Sequence, residues 1–299
     1  MPLLSHTFIL LCHFFLSACA GEDRSKTSKD TGYDLHQPAS TLILPDTLRE
    51  ISGIVAMDSN TIACIQDENG ILFIYDLTEN RIKEQIAFHF DGDYEGIAKV
   101  KNTIYVLRSD GTLFRIADYH TKKITVDSYN TGIPANNNEG LFYDHDNDRL
   151  LIACKGKINS GKEFKDKRII YAFNLDSKEL SPKAVFEFDI QKIRDFALQN
   201  GLEIPQKTDK KTNTKVPDIK FRTSAIAIHP INKKLYLLSA TDHLLFIFDK
   251  DGTIAHIEKL DPQLFNKAEG ITFLENGDMI ISNEAQNKRP TLLLFSYKE

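Results

Sequence analysis

Short apolar runs separated by polar turns fill most of this chain. The runs are rich in Ile, Val, Leu, Phe and Tyr, and the turns contain Asp, Asn or Gly, as in Asn69-Gly70 and Asp110-Gly111. Runs of this kind predict buried β-strands. Asn-Gly and Asp-Gly pairs adopt the positive φ angles that tight hairpins require. The pattern therefore predicts an all-β chain built from successive hairpins.

A short motif recurs where each group of strands begins. Three copies carry Glu-Gly followed by Ile or Leu, and two weaker copies carry Ser in the place of Glu. The copies are Ile51-Ser52-Gly53-Ile54, Asp93-Tyr94-Glu95-Gly96-Ile97, Asn138-Glu139-Gly140-Leu141, Thr223-Ser224-Ala225-Ile226 and Ala268-Glu269-Gly270-Ile271. Successive copies lie 43, 44, 85 and 45 residues apart. A period near 43 residues that contains only strands predicts a single β-propeller with one four-stranded blade per repeat.

Five blades account for the repeats. The last repeat contains only three strands, and the run Thr41–Leu44 before the first repeat can supply the fourth and close the ring. The long gap after the third motif indicates insertions at about 156–168 and 189–222, with a short helix within 190–200 and a polar loop over 206–220. A degenerate sixth blade is the alternative. We expect five, because 189–222 contains no second set of strands.

The first 18 residues are apolar and contain no Asp, Glu, Lys or Arg. This length is too short for a membrane-spanning helix and is typical of a signal peptide. Leu16-Ser17-Ala18-Cys19 resembles a bacterial lipobox, so we expect a lipid on Cys19. The polar stretch that follows indicates a flexible tether. We predict a signal peptide at 1–18, a lipidated tether at 19–40 and the propeller at 41–299.

Composition narrows the range of partners. The net charge is −5 and no basic stripe is present, which argues against nucleic-acid binding. The lipid would hold the chain at an extracytoplasmic membrane face, and we expect the outer membrane or cell surface rather than the inner membrane. Cys64 and Cys154 occupy equivalent second strands of repeats that are not neighbours, so we expect buried free thiols. We also expect a monomer.

Repetition places several carboxylates at one end of the predicted channel. The start of each first strand and the end of each second strand face the same mouth of a propeller. The candidate ligand-binding residues there are Glu95, Glu139, Glu269, Asp67, Glu68, Asp242 and Glu284. Carboxylates that share a buried site repel each other, and Ca²⁺, which binds six to eight oxygen ligands, would relieve the repulsion. In the alternative interpretation, each glutamate hydrogen-bonds the backbone of the neighbouring blade.

The motifs together resemble the SdiA-regulated domain family of bacterial envelope proteins. The resemblance covers roughly residues 42–297. It is carried by Glu50-Ile51-Ser52-Gly53-Ile54, Asp93-Tyr94-Glu95-Gly96-Ile97, Asn138-Glu139-Gly140-Leu141, Leu237-Leu238-Ser239, Lys267-Ala268-Glu269-Gly270-Ile271 and Ile280-Ile281-Ser282-Asn283-Glu284. It implies a small propeller at the cell envelope with no assigned reaction. Ala225 departs from the pattern, since the family has Gly there.

Three functions are compatible with these features. The first, which we favour, is an envelope lipoprotein that binds a small molecule or envelope protein, and calcium, at the mouth without catalysis. The second is a metal-dependent hydrolase, by analogy with propeller phytases and lactonases, in which a metal activates a water molecule. The third is a protein-interaction scaffold that uses the insertion. No complete set of catalytic residues is evident in the sequence, so we lean away from an enzyme.

Overall fold

Five antiparallel four-stranded sheets surround one axis in the computed structural model, which describes residues 31–121, 123–135 and 137–298. Blade one contains β2 (Ile51–Ala56), β3 (Thr61–Gln66), β4 (Ile71–Asp76) and β5 (Arg81–Ala87). Blade two contains β6 (Tyr94–Val100), β7 (Thr103–Arg108), β8 (Thr112–Ala117) and β9 (Thr125–Asn130). Blade three contains β10 (Asn138–Asp144), β11 (Arg149–Cys154), β12 (Lys167–Asn174) and β13 (Phe186–Asp189).

The second half of the chain completes the ring. Blade four contains β16 (Ala225–Ile228), β17 (Leu235–Ser239), β18 (Leu244–Phe248) and β19 (Ile254–Lys259). Blade five contains β20 (Ala268–Phe273), β21 (Met279–Asn283), β22 (Thr291–Phe295) and β1 (Ser40–Ile43). The inner strands contact one another in the order β2, β6, β10, β16, β20 and back to β2. The predicted five-bladed propeller, closed by the N-terminal strand, is therefore confirmed.

Apolar side chains fill the wedges between neighbouring blades. Between blades three and four the filling is aromatic: the rings of Phe188 and Phe248 lie 4.3 Å apart, and those of Phe221 and Phe246 lie 4.6 Å apart. All four rings are buried. Aromatic pairs at these separations bury large areas and fix the angle between the packed elements. Each inter-blade wedge is thus a separate cluster of the core rather than part of one central core.

Glycine in the repeated motif permits the inner strands to approach closely. A Cβ atom on Gly96 would lie 2.7 Å from Leu141 Cβ and 2.9 Å from the Glu139 carbonyl oxygen in the next blade. A Cβ on Gly140 would lie 3.0 Å from Ile226 Cγ1, again across a blade boundary. The glycines are therefore required by inter-blade packing at the centre of the ring.

The insertion packs against the outside of the wedge between blades three and four. The predicted helix is present as α1 (Ile190–Gln199), and Asp189 caps it by accepting a hydrogen bond from the Gln191 amide at 2.8 Å. The segment predicted as a loop over 206–220 contains a hairpin, in which β14 (Gln206–Thr208) pairs with β15 (Lys215–Pro217). Single 3-10 turns occur at Asp46–Leu48, His145–Asn147 and Lys162–Phe164.

The chain joins the folded domain earlier than residue 41. Tyr33 is fully buried, and its hydroxyl donates to the carbonyl of Gly277 at 2.5 Å. His229 Nδ1 accepts the amides of Ile231 and Asn232, so Nε2 carries the proton and donates to Tyr33 Oη at 2.7 Å. The predicted boundary between tether and propeller therefore moves to residue 31 at the latest. The predicted signal peptide and Cys19 lie outside the described residues.

The remaining structural expectations concern the cysteines and membrane spans. Cys64 and Cys154 are buried and form no disulfide in the described part of the chain. Burial raises the pKa of the Cys154 thiol to about 12, so it remains protonated and behaves as a small apolar side chain.

No helix within residues 31–298, apart from the two undescribed positions, is long and apolar enough to cross a membrane.

Candidate functional site

A β-bulge sets the position of the motif residue in four of the five blades. The pairing register between first and second strands skips Ser52, Glu95, Glu139 and Glu269, one residue in each blade. A bulged residue has no partner in the ladder, so the bulge can turn its side chain away from the normal alternation. Ser224, the equivalent residue in blade four, precedes β16 and lies outside the ladder. The bulges direct the motif side chains toward the channel.

The channel is nearly closed at this level. Ser52, Glu95, Glu139 and Glu269 surround a cavity of about 10 Å³, which is room for one water molecule. One branched aliphatic side chain per blade forms its floor. These residues are Ile54, Ile97, Leu141, Ile226 and Ile271. The two halves of the repeated motif thus have different functions: the Glu position builds a polar layer and the Ile position builds an apolar seal beneath it.

The two serine copies of the motif fasten neighbouring blades. Ser52 Oγ donates to the Tyr94 carbonyl in blade two at 2.6 Å, and Ser224 Oγ donates to the Ala268 carbonyl in blade five at 2.8 Å. Both hydroxyls are buried. Among the described residues the three motif glutamates make no such bond to backbone. The fastening role considered for the glutamates therefore belongs to the serines.

Two lysines face two of the three glutamates. Lys155 forms a salt bridge with Glu139, whose side chain is only 1% exposed. Lys267 Nζ lies 3.4 Å from Glu269 Oε1 and also contacts Glu284. Glu95 forms neither a hydrogen bond nor an ion pair with any described residue. The mouth thus holds three glutamates at its centre and two positive charges to match them.

Burial and mutual repulsion raise the pKa values of these carboxyls. Burial, followed by the charge of Glu139, raises the pKa of Glu95 to about 9. Burial raises the pKa of Glu139 to about 8, although Lys155 acts in the opposite direction. Burial also raises the pKa of Glu269. Burial disfavours the charge on Lys267, but Glu269 and Glu284 outweigh it and raise the pKa of that ammonium. At neutral pH the cluster holds protons that a cation would displace.

A second group of carboxyls lies beside Lys267. Burial and a hydrogen bond to Glu284 raise the pKa of Glu50. Burial, together with the charges of Glu50 and Glu284, raises the pKa of Asp67 to about 6. Asp67 Oδ1 is buried and has no hydrogen-bond partner in the described part of the chain. This side chain therefore keeps one buried acceptor without a partner, beside Lys267 rather than in the central cavity.

The structure brings together five of the seven carboxylates predicted from the repeats. Glu95, Glu139 and Glu269 share one cavity, and Glu284 and Asp67 lie beside Lys267. Glu68 and Asp242 do not line the cavity.

The Asp242 carboxylate is hydrogen-bonded within the fold, and the Glu68 side chain is exposed. Asp242 accepts the amides of Lys220 at 3.0 Å and Phe221 at 2.8 Å, and it also accepts the Ser239 hydroxyl. It therefore fixes the end of the insertion. The Glu68 side chain is solvent-exposed, and its carbonyl accepts the Gly92 amide. Neither side chain reaches the central cavity.

Sequence reasoning missed Lys267 and Glu50 as members of the cluster. Lys267 lies two positions before Glu269, but it precedes β20 and the bulge at Glu269 interrupts the normal alternation of side chains, so the strand pattern did not place the two side chains together. Glu50 occupies the repeat position that Asp93 occupies in blade two and Lys267 in blade five, so the repeat alone did not indicate which of these side chains would join the cluster. Among the described residues no group of three or more His, Cys, Asp or Glu side chains is arranged to hold a metal ion.

Comparison with known proteins supports the fold. No family model and no curated protein sequence matches the chain. A glutaminyl cyclase from Myxococcus xanthus is similar in structure, with a TM-score of 0.53 and 13% identity over 88% of this chain and 96% of that one. A PQQ-bound aldose sugar dehydrogenase from Streptomyces coelicolor has a TM-score of 0.53 and 12% sequence identity, over 87% of this chain and 97% of that one. The WD40 β-propeller domain of Doa1 has a TM-score of 0.45 and 12% sequence identity, over 90% of this chain and 98% of that one. At these identities the likeness to the cyclase and the dehydrogenase concerns the fold alone, and the score for the Doa1 domain is too low to support an argument.

Proposed function

We propose that this protein is an extracytoplasmic lipoprotein of the SdiA-regulated type whose propeller mouth binds a positively charged group beside Glu95. One observation carries the binding part of the proposal. Of three glutamates that share one cavity, two are matched by lysines of the chain, and Glu95 has no partner. Glu95 is half-buried and its raised pKa shows that ionisation is disfavoured there, so a cation that binds next to it would offset the cost of the charge.

The size of the cavity limits what can enter. About 10 Å³ admits a single ion or the head of an ammonium group, so the remainder of a larger ligand would lie on the outer surface of the mouth. A primary ammonium group meets this requirement, because it carries one positive charge and three donors on a small head group.

Calcium is the alternative occupant of the same site. It prefers carboxylate and carbonyl oxygens, and Glu95 provides the free carboxylate. Full coordination would also require Glu139 or Glu269 to exchange its lysine partner for the ion. The ammonium ligand requires no such exchange, and for this reason we place it first.

The position of the N-terminal segment supports an anchored arrangement. Tyr33 contacts Gly277 in the turn between β20 and β21, which faces away from the end of the propeller that carries Glu95. Residues 20–30 span at most about 40 Å when fully extended. A lipid on Cys19 would therefore hold the opposite face toward the membrane and leave the mouth accessible. Loss of membrane association in Cys19→Ser, measured by detergent partitioning of the full chain, tests this part.

The binding test uses calorimetry of the full chain with methylammonium chloride and, separately, calcium chloride. Sodium chloride at the same ionic strength is the reference. We expect saturable methylammonium binding that releases about one proton at pH 7, because the raised pKa keeps Glu95 protonated without ligand. Two buffers with different ionisation enthalpies give the proton count. Glu95→Gln should abolish the binding and retain the fold.

The matched control is Glu68→Gln, which removes an exposed carboxylate next to Asp67 but outside the cavity. It should bind methylammonium as the parent does. Binding that survives Glu95→Gln, or that Glu68→Gln reduces equally, would refute a site at Glu95. Saturable calcium binding with no methylammonium binding, lost in Glu95→Gln, would replace the ammonium ligand by the metal at the same site.

A further inference from the structure

The cleft between blades three and four opens on the face opposite Glu95 and is large enough for a small molecule. Its volume is about 280 Å³, against about 10 Å³ at the mouth. Phe142, Ile228 and Leu235 line its inner end, and Phe186 forms its outer wall. Ligand pockets in proteins begin near 300 Å³ and are mostly apolar with a few polar groups. The volume and the lining both fit that description.

Positive charge without a partner surrounds this apolar lining. Lys233 lies in the turn after β16, and Lys250 lies in the turn after β18. Neither ammonium forms an ion pair within the described part of the chain. The nearby Lys234 is paired instead, with Asp249 at 3.1 Å. Two of the three lysines in these turns are therefore available to a ligand.

Most of the negative charge at the cleft is already neutralised. Asp144 accepts Arg149 Nε at 2.8 Å and Asn147 Nδ2 at 2.8 Å, and its side chain is 7% exposed. Asp146 is 60% exposed and lies 4.0 Å from His145 Nδ1, on the solvent side. His229, at the inner end, has its pKa lowered to about 4 by burial, so it stays neutral. The lysines thus set the sign of the potential within the cleft.

We propose that this cleft binds a small amphipathic anion, with its apolar body against Phe142 and Phe186 and its acidic group between Lys233 and Lys250. Burial of the apolar body supplies the binding free energy, and the two ammonium groups select for the negative charge. The site is separate from the mouth in position and opposite in charge preference. The proposal for this cleft does not depend on whether a cation binds beside Glu95.

The test uses 8-anilino-1-naphthalenesulfonate as the anionic probe and N-phenyl-1-naphthylamine as its uncharged analogue. The chain contains no Trp, so Phe186→Trp introduces a single reporter in the cleft wall. Phe90→Trp places the reporter instead at a residue that is 84% exposed, in a loop before β6 on the mouth face. We expect saturable energy transfer from the Trp of Phe186→Trp to the sulfonate and far less from that of Phe90→Trp.

Reversal of the two lysine charges tests whether they select for the negative charge of the ligand. In the Phe186→Trp background, Lys233→Glu with Lys250→Glu should weaken binding of the sulfonate about tenfold and leave the uncharged analogue unchanged. The control is Lys101→Glu with Lys123→Glu, at the corresponding turns of blade two. Lys101 matches Lys233 closely, with φ of 55° against 60°. The proposal is overturned by absence of saturable transfer, by equal transfer to both reporters, or by equal weakening in the control pair.

Discussion

Lys155 and Glu139 form an ion pair in which the carboxylate is almost wholly buried and the lysine is partly exposed, with side-chain exposures of 1% and 28%. Lys155 follows the second strand of blade three, and Glu139 starts the first strand of the same blade. A lysine at the end of one strand therefore supplies the counter-charge for a glutamate that the bulge directs into the channel.

Removal of that lysine should be costly. Lys155→Met keeps the length of the side chain but leaves Glu139 buried without its counter-charge, and we expect a loss of about 3 kcal/mol in the free energy of unfolding at pH 8. Glu139→Gln in the same chain should restore most of the loss, because no buried charge then remains. Urea denaturation of the single and double variants measures both. Equal losses in the single and double variants would show that Lys155 acts through packing rather than charge.

The raised pKa values predict that the folded state loses stability as pH rises. Between the unfolded pKa of a glutamate and the folded values of about 8 for Glu139 and about 9 for Glu95, the native state binds more protons than the unfolded state. The free energy of unfolding therefore falls with increasing pH across that window, and Asp67, at about 6, contributes with the same sign. Urea denaturation at five pH values from 5 to 9 measures the slope.

A variant isolates the contribution of Glu95 to this slope. Glu95→Gln removes one titrating group without a change in shape, so its stability should fall less steeply with pH than that of the parent. Glu84→Gln, which removes an exposed carboxylate from β5, serves as the control and should follow the parent. A stability that rises between pH 6 and pH 9 in the parent would contradict the assigned direction of the shifts.

Close inter-blade packing predicts the outcome of two reciprocal substitutions. Gly96→Ala would force the new methyl against Leu141 Cβ and the Glu139 carbonyl, which are 2.7 and 2.9 Å from its position, and should cost about 1–3 kcal/mol. Ala225 occupies the equivalent position in blade four and is buried there. Ala225→Gly should cost about 1 kcal/mol or less, through greater backbone freedom in the unfolded state. Thermal and urea unfolding compare the two variants. Equal losses in the free energy of unfolding would exclude a specific contact at Gly96.

Residues at equivalent positions of the repeats could be assigned to the mouth from the sequence, but the pairs that they form could not. Glu95, Glu139 and Glu269 occupy equivalent positions in the period, so the ring topology alone brings them together. Which glutamate forms a salt bridge with a lysine depends on how far the side chains of Lys155 and Lys267 extend. The periodicity of the strands does not predict those side-chain positions. The bulges were also not visible in the pattern, although a Glu-Gly or Ser-Gly pair marks each one.

The insertion limited the prediction in another way. Asp242 does follow a second strand, as the repeats indicate, but Lys220 and Phe221 from the insertion donate their amides to it. The insertion has no repeat partner, so its path could not be derived by comparison between blades. The same holds for residues 31–39, whose polar composition indicated a tether while Tyr33 lies in the core.

Tyr33 should therefore be important for closure of the ring. Tyr33→Phe removes a hydroxyl that lies between His229 Nε2 and the Gly277 carbonyl, and both groups would remain buried without that partner. We expect a loss of about 1–3 kcal/mol in the free energy of unfolding. Tyr119→Phe is the control, because its half-buried ring has a hydroxyl that makes no hydrogen bond to the described residues, and it should cost little. Urea denaturation of the full chain compares the two, and similar small losses would mean that residues 31–39 add packing but no essential polar contact.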